Sequence, residues 1–223
     1  FRMTSPPTLH LQPRAWQVEA LARWEANNRK GVFAVVTGGG KTALAELCLE
    51  RVWLTSPGHR VSIVVPSSAL LDQWHVSLEE DMGLDARDIA TYSGEGKPRS
   101  PGLVNLFVIN TARSESPRLC SAGPTGLIVD ECHRAASPEN ARSLEGPHTF
   151  TIGLSATPER DYDNKFLEVV APKLGPIIYE YGYVEASRDG VIVPFDLQNI
   201  SVPLTPEEEI EYEKLSNRVK RLS

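Results

Sequence analysis

Short apolar runs alternate with longer stretches of helical periodicity along most of the chain. The apolar runs are too short to form helices of their own and predict buried strands. We place these strands at 32–36, 61–65, 88–92, 103–109, 126–130 and 149–154. Segments 42–53 and 69–81 repeat apolar residues at helical spacing and predict helices. Strands that alternate with helices are typical of an α/β fold, here a doubly wound, mostly parallel sheet flanked by helices.

The pattern changes towards the end of the chain. Two more strands are predicted at 176–183 and 191–202, with a short helix between them at 184–188. A last helix is predicted to begin after Thr205, which caps it, with Pro206 at the first helical position and acidic residues at the positive end of the helix dipole. We therefore predict one domain over 1–172, followed by a linker and a C-terminal helix over 173–223.

Composition changes this picture little. The hydrophobic fraction of 41% and the charged fraction of 23% are ordinary for a soluble globular protein. No apolar run approaches the roughly 20 residues of a membrane span, so we expect no membrane partner. Three scattered cysteines without CxxC spacing favour a reduced intracellular compartment, the cytoplasm first, with the nucleoid or nucleus as alternatives.

The net charge of -6 argues mildly against a nucleic-acid partner, but the acidity is uneven. Five glutamates lie together in segment 207–213, and the rest of the chain is nearly neutral. Charge therefore neither supports nor excludes a nucleic-acid groove.

A glycine-rich loop between the first predicted strand and helix has the layout of a phosphate-binding loop. It consists of Thr37, Gly38, Gly39, Gly40, Lys41 and Thr42. Consecutive glycines let backbone N–H groups face an anion, and the start of the helix adds partial positive charge. Lys41 would reach the β- and γ-phosphates, and the Thr42 hydroxyl would bind Mg²⁺. Val35 replaces the first glycine of the strict motif, at a position outside the amide cradle, so the loop is a variant of it.

An acidic pair follows the strand predicted at 126–130. Ligands bind at the carboxyl ends of strands in open α/β sheets. Asp130 suits a Mg²⁺ ligand, and Glu131 suits the group that orients or activates an attacking water. His133 has no second metal ligand at suitable spacing, so we interpret it as a polar relay from the nucleotide site.

Two hydroxyl residues, Ser155 and Thr157, lie at the end of the next predicted strand. Ser and Thr hydroxyls also cap ordinary turns. Because they follow the phosphate loop and the acidic pair in the chain, we predict that they bond to the acidic segment and move with it.

Three motifs follow one another in fixed order: TGGGKT from Thr37, DECH from Asp130 and SATP from Ser155. They resemble motifs I, II and III of the DEAD/DEAH-box-type helicases of superfamily 2. Upstream, Arg14 and Gln17 resemble the entry motif with which that family grips adenine, with an alanine in place of the usual proline.

Two further stretches resemble the motifs by which this family contacts the nucleic-acid backbone. Pro66 and Ser67 match the first of them, although Ser68 replaces the arginine that is common in that motif. Thr111 matches the second. The resemblance covers about residues 11–160 and extends to XPB-like DNA translocases and to the motor subunits of type I and type III restriction systems.

The resemblance implies the first RecA-like lobe of a P-loop NTPase that binds ATP and Mg²⁺. Family members hydrolyse ATP between two such lobes, and the second is expected to be missing from this chain, with 173–223 as the interlobe linker and helix. The implied partner is nucleic acid, with DNA favoured over RNA. The implied activity is that of an ATP-dependent DNA helicase or translocase, weak in the isolated chain.

Three alternatives remain open from the sequence. An RNA helicase shares the same motifs. A small P-loop kinase would account for the glycine-rich loop but would also need a pocket for its acceptor. A nucleotide-gated interaction module would use the acidic terminal helix to bind a partner.

Overall fold

Seven parallel strands form one sheet within the parts of the chain that the computed structural model describes, residues 7–94, 98–156, 165–193 and 202–220. In chain order the strands are β1 (Lys30–Val35), β2 (Arg60–Val65), β3 (Ile89–Tyr92), β4 (Val104–Val108), β5 (Thr125–Asp130), β6 (Thr151–Ser155) and β7 (Ile177–Tyr181). Their spatial order is β3-β4-β2-β5-β6-β1-β7. The predicted α/β fold with a doubly wound parallel sheet is confirmed.

Helices connect the strands on both faces of the sheet. They are α1 (Ala15–Ala26), α2 (Lys41–Thr55), α3 (Ser68–Glu80), α4 (Ile109–Ser121), α5 (Pro138–Ala141), α6 (Ala171–Leu174) and α7 (Tyr183–Arg188). Short 3₁₀ turns lie at Ala86–Asp88, Cys132–Ala136 and Arg142–Leu144, and one π-helical turn at Phe166–Val170. None of the helices in the described residues combines the length and the apolar character that crossing a membrane requires.

Most strands send alternate side chains into two separate hydrophobic layers. In β1, Val32 packs into one layer and Phe33 into the other. One layer holds the buried tryptophans of α1, α2 and α3, and the other holds the buried face of α4. Because both faces are covered, the strands are mostly apolar, which is why they stand out in the sequence.

One close contact in the core depends on a glycine. The ring of Phe150 lies directly over Gly126 in β5, where a methyl group would overlap the ring carbons. Phe150 is buried and packs edge-on against Trp24, with the ring centroids 5.7 Å apart. The absence of a side chain at Gly126 therefore lets α1 pack closely on the sheet.

The structure differs from the prediction at several element ends. Residue Asp88 closes a 3₁₀ turn, so β3 begins one residue later than predicted, and Ile109 begins α4 where the prediction ended a strand. Residues 191–193 are not in a strand, and the rest of the strand predicted at 191–202 lies almost entirely outside the described residues. Strand β7 lies beyond residue 172 and pairs with β1; the proposed division at that residue stays a prediction.

The chain divides between Ile192 and Val193 into two units. The second contains α8 (Pro206–Lys220). The hydroxyl of Thr205 accepts a hydrogen bond from the backbone N–H of Glu208 at 3.3 Å, and the Glu208 carboxylate accepts one from the N–H of Thr205 at 2.8 Å. This reciprocal pair confirms the cap predicted for the last helix.

Candidate active site

The glycine-rich loop lies between the carboxyl end of β1 and the start of α2. Gly38 and Gly40 have φ angles of 78° and 104°, in the left-handed region that favours glycine. At Gly39 a β-carbon would lie 2.7 Å from a methyl group of Val35 and 2.9 Å from the carbonyl oxygen of Val36. The glycines thus allow a tight turn that ends at the first residue of α2, Lys41.

The entry residues Arg14 and Gln17 lie against this loop. The side-chain oxygen of Gln17 accepts a hydrogen bond from the N–H of Arg14 at 2.8 Å, and its Nε2 donates to the carbonyl oxygen of Gly40 at 3.1 Å. Gln17 is only 3% exposed. Its amide therefore holds the glycine-rich loop, and its role towards adenine stays a prediction.

A cavity of about 450 Å³ opens beside these residues. It is lined by Arg14, Ala15, Trp16, Asp189, Gly190 and Val191. The ring of Trp16 stacks on Tyr181 with centroids 4.5 Å apart, so this tryptophan forms a fixed wall of the cavity. The cavity is a candidate location for a nucleotide base.

Asp130 is the last residue of β5, two strands from the phosphate loop with β6 between them. Its Oδ2 accepts a hydrogen bond from the indole Nε1 of Trp74 at 2.9 Å, and its Oδ1 accepts one from the N–H of Glu131 at 2.9 Å. Burial raises the pKa of Asp130, with a smaller contribution from the charge of Glu131, while the bond from Trp74 and the charge of Lys41 act in the opposite direction.

Lys41 and Glu131 form an ion pair, with Lys41 Nζ 3.1 Å from Glu131 Oε1. Both side chains are largely buried, at 13% and 25% exposure. Glu131 has a φ of 48°, rare for a residue with a side chain, and this turns the chain sharply away from the end of β5. The lysine expected to bind phosphate is therefore paired with the carboxylate expected to act on water.

A polar chain continues from this ion pair to the next strand. The second oxygen of Glu131 lies 3.4 Å from Nδ1 of His133, and the same nitrogen lies 3.0 Å from the hydroxyl of Ser155 at the end of β6. The structure thus brings four of the predicted site residues into one connected series. The relay and coupling roles of His133 and Ser155 stay predictions, and Thr157 lies outside the described residues.

The residues predicted to contact nucleic acid are only partly brought together. Pro66 and Ser67 share a cavity of about 590 Å³ with Thr37, Leu70, Glu131, His133, Arg134 and Ala156. Thr111 lies in the first turn of α4 and lines neither of the two cavities described above. One end of the proposed nucleic-acid surface thus lies directly beside the candidate catalytic carboxylate.

The residues present fit a nucleotide with Mg²⁺. The hydroxyl of Thr42 and the carboxylate of Asp130 are hard oxygen ligands, which Mg²⁺ prefers together with phosphate oxygens and waters. Lys41 is held by the Glu131 carboxylate, which a phosphate could replace. The backbone turn at the glycines provides room that any β-carbon would reduce.

Trp74 is the site residue that the sequence did not reveal. Its position on the apolar side of the helix predicted at 69–81 indicates only a core residue. The available signal was general: a buried indole N–H requires a hydrogen-bond acceptor. No spacing in the sequence identifies that acceptor as Asp130, which is 56 residues away.

The chain is similar to several known proteins. The family model of the type III restriction enzyme res subunit matches residues 10–160. The chain is 29% identical over 213 residues to the DNA 3'-5' translocase XPB2 of Sulfurisphaera tokodaii, covering 94% of this chain and 45% of that protein. It is 31% identical over 183 residues to the putative DNA 3'-5' helicase Rad25 of Haloarcula marismortui, covering 79% of this chain and 28% of that protein.

The fold also matches a solved structure. The UvsW helicase from bacteriophage T4 superimposes with a TM-score of 0.63 at 20% identity, over 76% of this chain and 60% of that chain. At this identity the likeness establishes the RecA-like fold alone. The chain spans less than half the length of the two curated relatives.

Proposed function

Because this chain belongs to the family of the type III restriction enzyme res subunit, we propose that it is the nucleotide-binding first lobe of an ATP-driven motor that moves along DNA. The observation that carries the proposal is the ion pair between Lys41 of the phosphate loop and Glu131 of the acidic segment. This contact supports the proposal because hydrolysis of a terminal phosphate needs a phosphate-binding group and a water-activating group close together, the roles proposed for Lys41 and Glu131.

The proposed mechanism begins with an exchange of partners at Lys41. The phosphates bind to the N–H groups of the loop and to Lys41, which leaves Glu131. Thr42 and Asp130 would hold Mg²⁺, and that ion would neutralise phosphate charge. Once free of Lys41, the Glu131 carboxylate orients the attacking water and takes up its proton.

The same exchange explains how hydrolysis is linked to movement. Glu131 contacts His133, and His133 contacts Ser155 at the end of β6. When Glu131 turns from Lys41 to the water, its contact with His133 changes as well. In this proposal His133 and Ser155, together with Thr157, pass that change towards the second lobe.

DNA is the proposed track. The named relatives are a DNA translocase and a putative DNA helicase, which supports DNA over RNA. Pro66, Ser67 and Thr111 are the proposed contacts to the backbone, and backbone contacts carry little sequence information. The lobe should therefore bind without marked base preference.

A second lobe is needed for full activity in this proposal. In such motors an arginine contributed to the terminal phosphate accelerates hydrolysis by about 10³–10⁵-fold. The chain alone is expected to bind ATP with Mg²⁺ but to turn over more slowly than roughly 1 s⁻¹, the low end of ordinary enzyme rates.

The proposal is tested by measuring the ATPase rate of the full-length gene product with duplex DNA, single-stranded DNA and RNA in parallel. Glu131→Gln provides the inactive control. Strongest stimulation by duplex DNA is the expected result. Stimulation by RNA alone would transfer the protein to the RNA helicases, and an unstimulated rate with all three would refute the motor function.

A further inference from the structure

The indole of Trp74 makes a buried contact that the proposed mechanism has not used. Trp74 lies in the middle of α3, is 1% exposed, and donates its N–H to Oδ2 of Asp130 at 2.9 Å. The other oxygen of Asp130 accepts the N–H of Glu131. With one donor on each oxygen, the plane of this carboxylate is fixed before any ligand arrives.

Two other buried tryptophans show what is particular about this contact. Trp24 donates its indole N–H to the carbonyl oxygen of Thr151, and Trp53 donates to that of His59. Both satisfy the indole with a backbone carbonyl, whereas Trp74 uses an ionisable side chain at the end of β5. Hydrogen bonds to a charged acceptor are about twice as strong as neutral ones and hold geometry more firmly.

The contact also joins two parts of the site. Helix α3 begins directly after its N-cap Ser67, which lines the cavity shared with Glu131. Trp74 lies two turns further along, about 10 Å from the start of the helix. A rigid helix therefore has a proposed DNA contact at one end and the Asp130 carboxylate against its middle.

Resting on the proposed function, we propose that Trp74 is a positioning residue, which orients Asp130 to hold Mg²⁺ and ties the metal site to the DNA-contacting end of α3. The groups that support metal ligands commonly contribute 10–100-fold to metal affinity. Loss of the indole N–H should therefore weaken Mg²⁺ binding and leave the phosphate loop itself intact.

The test is Trp74→Phe, which keeps an aromatic ring in the core and removes the donor. Trp53→Phe is the matched control, because Trp53 is fully buried and loses an N–H bond to a backbone carbonyl, that of His59, just before the amino end of β2. A fluorescent, non-hydrolysable ATP analogue is bound to each protein in EDTA, and Mg²⁺ is then titrated in. Thermal unfolding of both variants is recorded in parallel.

We expect Trp74→Phe to raise the half-saturating Mg²⁺ concentration about tenfold while affinity in EDTA stays within about twofold. Trp53→Phe should change neither value, although both variants lose stability. Equal Mg²⁺ curves for Trp74→Phe and wild type would overturn the inference. Failure of the wild-type chain to bind the analogue with Mg²⁺ would instead overturn the proposed function, and this inference with it.

If Trp74→Phe does not fold, benzothienylalanine at position 74 provides the same test, since it has the shape of tryptophan with sulfur in place of the N–H. The link to α3 is tested in the full-length protein. The affinity for the Mg²⁺–analogue complex is measured with and without duplex DNA, which gives the factor by which DNA changes that affinity. Trp74→Phe should bring that factor close to one, and Trp53→Phe should not. An unchanged factor in Trp74→Phe would refute the link.

Discussion

Glu131→Gln should make the chain bind ATP more tightly, in addition to stopping hydrolysis. In the free chain Lys41 is paired with Glu131, with 3.1 Å between the charged atoms. The incoming phosphates must replace that partner. Glutamine has nearly the same shape as glutamate and can still accept a hydrogen bond, so the substitution removes mainly the charge.

The magnitude follows from the geometry. Two unit charges at this distance attract with about 5 kcal/mol at an effective dielectric constant of about 20. Most of this is offset, because the two groups are partly dehydrated and phosphate replaces the carboxylate with a similar interaction. The remaining difference between a charged and a neutral acceptor is about 1 kcal/mol. We therefore expect about fivefold tighter binding of an ATP analogue, and a loss of at least about 100-fold in hydrolysis by the intact protein.

The assay is a titration of the wild type and Glu131→Gln with a fluorescent non-hydrolysable ATP analogue in the presence of Mg²⁺. Repeating the titration in a Lys41→Met background tests whether the gain in affinity depends on Lys41. If Glu131 competes for Lys41, the gain vanishes once Lys41 is replaced. Unchanged or weaker binding by Glu131→Gln, or an equal gain without Lys41, would refute the competition. Glu46→Gln, in a buried position outside the proposed ligand set, is the matched control.

Three further outcomes are expected. Gly126→Ala should reduce the free energy of unfolding by about 3 kcal/mol, because its methyl group would overlap the Phe150 ring. Adding Phe150→Leu to that variant should restore part of the loss. An unchanged urea midpoint for Gly126→Ala would contradict the packing. Burial raises the pKa of Glu46 from 4.5 to about 7, so the folded chain retains a proton that the unfolded chain releases, and stability should fall as pH rises through that interval. Urea midpoints of Glu46→Gln should lack this slope, and a slope equal to that of the wild type would exclude Glu46 as its origin. Cys48 and Cys132 are fully buried, and burial raises the pKa of both thiols. Neither should therefore react with a thiol reagent unless the chain unfolds. Rapid labelling of the folded chain would contradict this and show that these positions open.

The sequence predicted those elements whose signal is local. Strands buried on both faces appear as short, mostly apolar runs, and the phosphate loop is one short segment between a strand and a helix. Helix α4 was not predicted, because it contains Pro117 and many polar residues and has no side chain that caps its start. Its fold is determined by packing on the sheet rather than by its own propensity.

The contacts within the site could not be predicted in the same way. Lys41 and Glu131 are 90 residues apart, and Trp74 and Asp130 are 56 residues apart. Motif matching identifies what the first two residues would do with a nucleotide present. Which groups they contact in its absence depends on the order of the strands, and the motifs do not encode that order.

The position of β1 in the sheet has a consequence for synthesis on the ribosome. β1 is synthesised before the other six strands of the sheet, yet its two neighbours, β6 and β7, are synthesised last. The first of them follows after about 120 residues, which at about 5–20 residues per second takes roughly 6 to 24 s. Throughout that delay an apolar strand has neither edge paired, a state in which other chains can add to it. The phosphate loop therefore takes shape late, when translation of the lobe is nearly complete, and β1 is the segment most in need of a chaperone until then.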